Sequence, residues 1–350
     1  MNINFNNLPV GNLPYEDIQL CKQMMLRLYE DVPFLPELPL IDSNDEVYHK
    51  TLQNIPCIEF KDGKLIIAES TSEKLMQYIM HLEKKLVTDY HDELTNFETK
   101  APFFPMYIEI LKRLKPKTTV INLVGPFTLS NSMFNKNGAI MLLDKNYRKF
   151  IAYSIIFKAL WFITKIKEAS PETKPLIMFD ERLLYKFGTL KRTNENITNE
   201  TVVTLFSRIF SKLKKEGALI GVQSFEKCNW QLVFDSENVD IISYDAYNNP
   251  SNLNILAKSV NKFLAKGGFI NWGIVPVMNE NVIRSLNISM IHDRFKATME
   301  ALIADGVSAD MLQRKSTVSI QGDVSHHPII FAEKAVILAN QLGKKLPVKK

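Results

Sequence analysis

The feature that most constrains this chain's fold is a series of short, continuous apolar runs separated by amphipathic stretches. The runs are rich in aliphatic and β-branched residues and span 118–125, 174–181, 217–224, 239–246, 267–276 and 316–322. Continuous rather than alternating apolar runs are typical of parallel strands buried on both faces. The stretches between them, such as 199–217 and 249–268, have helical periodicity and end near a glycine. The alternation of strand and helix predicts an α/β fold with right-handed βαβ units.

The alternation continues through the second half of the chain without a linker rich in Pro, Gly or Ser. We therefore predict a single (β/α)8 TIM barrel over residues 1–343 rather than two doubly wound domains. The first half is less regular, and a small N-terminal hairpin excursion is expected at 56–68, turning at Asp62-Gly63. Residues 344–350 are interpreted as a basic tail.

Composition limits the classes of partner and the compartment. The net charge of +5 is small against 43 basic and 38 acidic residues, and no basic stripe interleaved with aromatics points to nucleic acid. The start of the sequence lacks the pattern of a secretory signal, and the three cysteines lie far apart, so a cytoplasmic protein without a disulfide framework is expected. The longest apolar stretch, 150–163, is interrupted by Lys158 and is too short for a membrane span. The helix over 150–166 is either a subunit contact in a homodimer or covered by its own chain.

Functional side chains in such a barrel lie at the carboxyl ends of the strands. Carboxylates follow two of the apolar runs, so the predicted catalytic residues are Asp180, Glu181 and Asp245. The predicted contacts to a small-molecule ligand in the barrel mouth are Asn12, Gly125, Gln223 and Trp272. Structural alternatives stay open: Glu181 pairs with Arg182 or Arg192 or caps the next helix, and Asp245 caps the helix that follows it. No GxSxG elbow and no phosphate-binding glycine loop is present.

The strand ends carry a set of short motifs in a characteristic order: "LPVGNLPYED", "LVGPFTLS", "IMFDERLL", "VDIISYDAY" and "GGFINWGIVP". Taken together, they resemble the barrel superfamily that joins the C-terminal catalytic domain of cobalamin-independent methionine synthase and uroporphyrinogen decarboxylase. The chain resembles more closely the stand-alone methionine-synthase-like proteins, over nearly its whole length. The resemblance implies a TIM barrel and a methyltransferase that acts on a small thiol or on a corrinoid- or folate-linked substrate.

The resemblance also implies a zinc ion that activates the thiol, but the ligand positions are largely changed. The stretch "GVQSFEKCNW" places Gln223 and Phe225 where the relatives have a histidine and a cysteine. Asp245 stands at the position of the acidic ligand, and Gly322 at that of the last cysteine. Because zinc prefers about four ligands, one carboxylate is not enough, and we predict a degenerate zinc site, with no metal and no other cofactor. Without zinc, a thiol of pKa about 8.5 is mostly protonated at neutral pH.

Three hypotheses for the function follow, and whether the protein is an enzyme stays open among them. The first is a methionine-synthase-like methyltransferase, and the second is a non-catalytic binding or partner protein on the same scaffold. The third is a uroporphyrinogen decarboxylase-like enzyme. A substrate with many carboxylates needs several arginines, but only Arg182 and Arg192 lie near a strand end, which disfavours the third hypothesis.

Overall fold

The computed structural model describes residues 5–55, 58–61, 64–67, 72–134 and 139–347. Strands and helices are numbered in chain order. The strands in these residues are β1 (Phe34–Leu35), β2 (Ile58–Lys61), β3 (Lys64–Ile67), β4 (Thr118–Val124), β5 (Met133–Phe134), β6 (Lys174–Asp180), β7 (Leu219–Ser224), β8 (Ile241–Asp245), β9 (Phe269–Val275) and β10 (Ser316–Ile320). The α-helices are α1 (Ile18–Leu28), α2 (Val47–Leu52), α3 (Ser72–Val87), α4 (Phe104–Leu114), α5 (Pro126–Ser132), α6 (Lys145–Ala169), α7 (Phe187–Thr193), α8 (Asn199–Lys215), α9 (Gln231–Asp235), α10 (Ala257–Ala265), α11 (Glu280–Ser285), α12 (Ile288–Ala304), α13 (Ala309–Arg314) and α14 (Ile329–Gly343).

A curled sheet of seven parallel strands organises the molecule. Its order is β1-β4-β6-β7-β8-β9-β10, so each strand pairs with the next sheet strand along the chain. All six predicted apolar runs are strands of this sheet, and they are buried along almost their entire length. The α/β class and the parallel sheet are therefore confirmed. The sequential order and the curl give a half-barrel whose strands all end at the same edge.

The N-terminal segment 6–13 contacts both edges of the curled sheet. At one edge, the Leu8 N–H donates to the Val318 carbonyl and the Val318 N–H to the Asn6 carbonyl, both at 2.9 Å. At the other edge, the Leu13 N–H donates to the carbonyl of Glu37, just beyond β1, at 3.0 Å. These contacts are isolated parallel bridges and not a regular strand. Among the described residues the curled sheet therefore has seven strands, and the complete eight-stranded barrel stays a prediction.

A hairpin interrupts the first half of the chain, as the sequence predicted. Strands β2 and β3 pair antiparallel, and β5 extends them to a separate three-stranded sheet. The turn expected at Asp62-Gly63 lies outside the described residues, as do the last three residues of the basic tail.

Helix α6 fills the space between the large sheet and several other helices. Its side chains from Phe150 to Ile163 are all buried, because α3, α4, α5 and α8 pack around it. Of the two alternatives for this helix, the structure supports the one in which its own chain covers it, and 150–163 offers no free face for a homodimer contact. None of the described helices is both long and apolar enough to cross a membrane.

Candidate functional site

A cavity of about 360 Å³ opens where the parallel strands end. We call it the sheet-end cavity. Its polar lining residues are Asn12, Glu37, Asn122, Asp180, Arg182, Gln223, Glu226 and Asp323. The structure therefore brings together three of the predicted residues, Asn12, Asp180 and Gln223, at the place expected for a ligand in this class of fold.

Asp180 and Arg182 form an ion pair in the wall of this cavity. Asp180 is the last residue of β6 and is 3% exposed. Its Oδ2 accepts from Arg182 Nε at 3.0 Å and also from the terminal guanidinium nitrogen, while its Oδ1 accepts from the Arg182 backbone N–H at 3.0 Å. Burial lowers the pKa of Arg182, but the Asp180 carboxylate outweighs it and raises that pKa above its ordinary value. Arg182 therefore stays a fixed cation beside the cavity.

A second ion pair, between Glu37 and Lys50, lies behind the same wall. Both side chains are 1% exposed, and the Lys50 ammonium donates to Glu37 Oε1. Burial raises the pKa of Glu37, and Lys50 offsets part of that rise. Sequence reasoning missed Glu37 because β1 has two residues and therefore leaves no apolar run to mark its end. The available signal was one acid inside the stretch "PFLPELP".

Two buried amide side chains complete the polar lining. Gln223 of β7 lies directly beside Asp180, its partner in the pairing of β6 with β7. Asn122 of β4 is 3% exposed, and its Oδ1 has no hydrogen-bond partner among the described residues. Because a buried acceptor without a partner is costly, Asn122 calls for a donor from a ligand or from water. Sequence reasoning missed Asn122, although a lone amide inside "TTVINLVG" was a usable signal.

Glu181 and Gly125 act together outside the sheet-end cavity. Glu181 is fully buried, and its carboxylate accepts from the Phe127 N–H at 2.9 Å, the Thr128 N–H at 2.7 Å and the Thr128 hydroxyl at 2.7 Å. It thus caps the start of α5, which precedes it in the chain. Burial raises the pKa of Glu181 to about 8, although these donors lower it. Gly125 leaves the space for this carboxylate, and neither residue lines the sheet-end cavity.

Asp245 closes the turn after β8 and does not line the sheet-end cavity. Its Oδ1 accepts from the Tyr247 and Asn248 N–H groups at 3.0 and 2.8 Å, and its Oδ2 from Gln321 Nε2 at 2.7 Å. Both oxygens are therefore occupied by the protein itself. Asp245 therefore caps a turn, because residues 246–248 form no helix.

Trp272 lies in the layer between the sheet and the helices, away from the sheet-end cavity. Its indole donates to the Ser316 hydroxyl at 2.9 Å and packs against the rings of Tyr244 and Phe295, with each pair of ring centroids 5.6 Å apart. The neighbouring Asn271 makes a different set of contacts, donating to the hydroxyls of Ser243 and Ser319. Because adjacent strand residues point to opposite faces, Trp272 packs against the helix layer, whereas Asn271 contacts side chains of the neighbouring strands β8 and β10.

The residues at the positions that the resemblance assigns to zinc ligands do not fit a zinc ion. Gln223 and Phe225 offer neither an imidazole nor a thiolate there, and both oxygens of Asp245 already accept hydrogen bonds from the protein. Burial raises the pKa of the nearby Cys228 to about 12, which keeps that thiol protonated. Across the described part of the chain, no group of three or more His, Cys, Asp or Glu side chains could hold a metal ion. No step through zinc is therefore derived for this chain.

No protein-family model and no curated protein matches the chain significantly. The likeness to the methionine synthase and uroporphyrinogen decarboxylase superfamily accordingly rests on the strand-end motifs.

Proposed function

We propose that this protein is a methionine-synthase-like barrel protein that binds a small amino acid in the sheet-end cavity without zinc. The observation that carries the proposal is the convergence on one cavity of an ion pair, two buried amides and two carboxylates that form no salt bridge among the described residues. A volume of about 360 Å³ is in the usual range of small-molecule sites. Segment 6–13 is, in this proposal, the eighth strand that closes a (β/α)8 barrel around it.

The balance of charges selects an amino acid over other small ligands. Lys50 neutralises Glu37 and Arg182 neutralises Asp180, whereas Glu226 and Asp323 have no salt-bridge partner among the described residues. This excess of negative charge attracts an ammonium group. The Arg182 side chain is 49% exposed, so its outer face remains available for a carboxylate. One ligand with both charges satisfies both ends of the cavity.

The geometry disfavours the porphyrinogen decarboxylase alternative. Arg182 is the one arginine among the described residues that line the cavity, and Asp180 already binds it. A substrate with several carboxylates would therefore meet more acids than bases here. The proposal includes methyl transfer to the thiol of a bound amino acid such as homocysteine. If the protein consumes a methylated folate or methylcobalamin, and this activity persists in the presence of a metal chelator, the protein is an enzyme. If the amino acid binds but no methyl donor is consumed, it is a binding protein.

A thermal-shift experiment tests the binding proposal. Homocysteine and methionine should raise the unfolding midpoint, since a ligand that binds only the folded state stabilises it. Analogues that lack the amino group or the carboxyl group should raise it less. Asp323 forms no salt bridge, although its carboxylate accepts from Asn12 Nδ2 and from the Ser325 N–H. Asp323→Asn removes its charge and should weaken binding about tenfold, the usual value of one charge-assisted hydrogen bond.

The matched control for this experiment is Asp310→Asn. Asp310 is an exposed acid on α13 that pairs with Arg314 of the same helix, remote from the cavity lining. The Asp310→Asn variant has the same change in charge and should leave the ligand-induced shift of the unfolding midpoint unaltered. The binding proposal would be wrong if neither amino acid shifts the midpoint of the wild type, or if both variants lower the response equally.

A further inference from the structure

A second cavity, lined by basic residues, lies between the beginnings of α6 and α8. Its volume is about 240 Å³. Four cationic side chains line it: Lys145, Arg148, Lys149 and Arg208. Glu200 is the one acid in the lining, and Thr204 contributes an exposed hydroxyl. We call it the basic cavity, and it shares no lining residue with the sheet-end cavity.

The basic cavity lies at the same end of the sheet as the sheet-end cavity. Helix α6 leads into β6 and helix α8 into β7 through short connections. Each helix therefore runs opposite to the strand that follows it and begins near that strand's carboxyl end. Those carboxyl ends carry Asp180 and Gln223.

The four cations lack carboxylate partners. Within the described residues, none of them is in a salt bridge. The Arg148 guanidinium is held by the Leu142 carbonyl, to which it donates at 2.6 Å, and burial lowers its pKa. Among the lining residues, Glu200 offsets one of the four positive charges, and the Asp144 carboxylate at the start of α6, outside the lining, acts on Arg148 and offsets part of another. The cations therefore still outnumber the acids around the cavity. Like charges collected in one concavity repel each other, and an anion relieves that repulsion.

The helix ends add to the positive potential. The first turn of α8, capped by Thr198, and the start of the 25-residue helix α6 both point their positive ends towards this region. The Asp144 carboxylate already accepts from the first N–H groups of α6. The side-chain cations and the Thr204 hydroxyl are therefore the groups that would bind an anion directly.

We propose that the basic cavity binds the phosphate group of a small phosphorylated molecule. A phosphate presents several acceptor oxygens that two arginines and two lysines can share, and arginine binds it in a bidentate manner. The cations converge in a cavity of about 240 Å³ and form no extended stripe, which favours a small phosphate ester over nucleic acid. This site is separate from the amino-acid site and stands or falls independently of it.

Calorimetric titration of the full chain with inorganic pyrophosphate, at constant ionic strength, tests the proposal. The wild type should bind saturably. Arg208→Gln should weaken the affinity about tenfold, because it removes one charge-assisted contact. Arg208 is exposed, so this variant should fold normally, which circular dichroism verifies. Lys149→Gln supplies a second, independent variant with the same expected loss.

The control variant is Lys215→Gln, at the opposite end of α8. It is exposed, carries the same charge change and lies outside the cavity lining. Its affinity for pyrophosphate should stay at the wild-type value. Absence of saturable binding by the wild type overturns the proposal, and so does equal weakening by Arg208→Gln and Lys215→Gln, which would indicate general charge screening.

Discussion

At the scale of single residues, the adjacent acids Asp180 and Glu181 show how one strand end serves two purposes. Asp180 points into the sheet-end cavity and binds Arg182. Glu181 points away and holds the start of α5 through the Phe127 and Thr128 N–H groups. The sequence shows that two neighbours in a strand face opposite ways, but it does not show which of them meets the cavity. That assignment depends on the long-range contact with α5.

Gly125→Ala tests the contact between Gly125 and Glu181. The added Cβ would lie 2.2 Å from Glu181 Cδ and 2.5 Å from its Oε1. The backbone of Gly125 has an ordinary φ of −69°, so the demand is for space and not for a special conformation. The buried carboxylate would leave its donors, at a cost of about 2–4 kcal/mol in the free energy of unfolding. Chemical denaturation measures this loss.

Gly188→Ala is the matched control for that substitution. Gly188 lies in α7, and nothing stands within 4 Å of its added Cβ. Alanine should be neutral there or stabilise the helix by up to about 1 kcal/mol. Equal effects of the two alanines would show that Glu181 moves freely and that the cap is dispensable.

At the scale of one element, Lys158 joins the buried helix α6 to the rest of the first half of the chain. Its ammonium donates to the carbonyls of Phe97 at 2.9 Å, Glu98 at 3.1 Å and Gln53 at 3.3 Å. The sequence showed that a lysine interrupts an apolar helix. It left open whether a second subunit or the chain itself covers that helix. It could not show the acceptors, because they lie 60 or more residues away along the chain.

Lys158 predicts a specific dependence of stability on pH. Burial, together with the nearby Lys50 ammonium, lowers the pKa of Lys158 from 10.5 to about 7. Between these two values the unfolded chain binds more protons than the folded one, so stability rises with pH. Lys158→Met removes the titration, and the free energy of unfolding of the wild type should therefore increase relative to this variant as the pH rises from about 7 to about 10. Denaturant titrations across this window measure the difference.

Lys165→Met on the same helix is the control for that pH dependence. Lys165 is 39% exposed and pairs with Glu168. Its difference from the wild type should stay flat over the same window. A constant difference for Lys158→Met would contradict the lowered pKa of the buried lysine.

At the scale of the whole molecule, the six apolar runs were enough to predict the parallel sheet, because burial on both faces leaves a local pattern. The contacts of segment 6–13 with the two edges of the sheet leave no such local signal. The segment "NLPVGNL" is short, and one of its contacts, with Val318, is made to a residue far along the chain. The same holds for the lining of the sheet-end cavity, where Glu37, Asn122 and Asp323 meet because distant strands end together.

The proposal that segment 6–13 closes the barrel predicts that this segment is as stable as the sheet. The amides of Leu8 and Val318, which bond across the closure, should exchange with deuterium as slowly as amides of β7. Leu8 is 0% exposed, so Leu8→Ala should cost about 2–5 kcal/mol, whereas Leu20→Ala on α1, where the side chain is 48% exposed, should cost less than about 1 kcal/mol. Leu8→Ala should also weaken ligand binding, because Val10 and Asn12 of the same segment line the sheet-end cavity. Fast exchange at Leu8 beside a protected β7 would mean that the sheet is an open half-barrel with a loosely attached N-terminal segment.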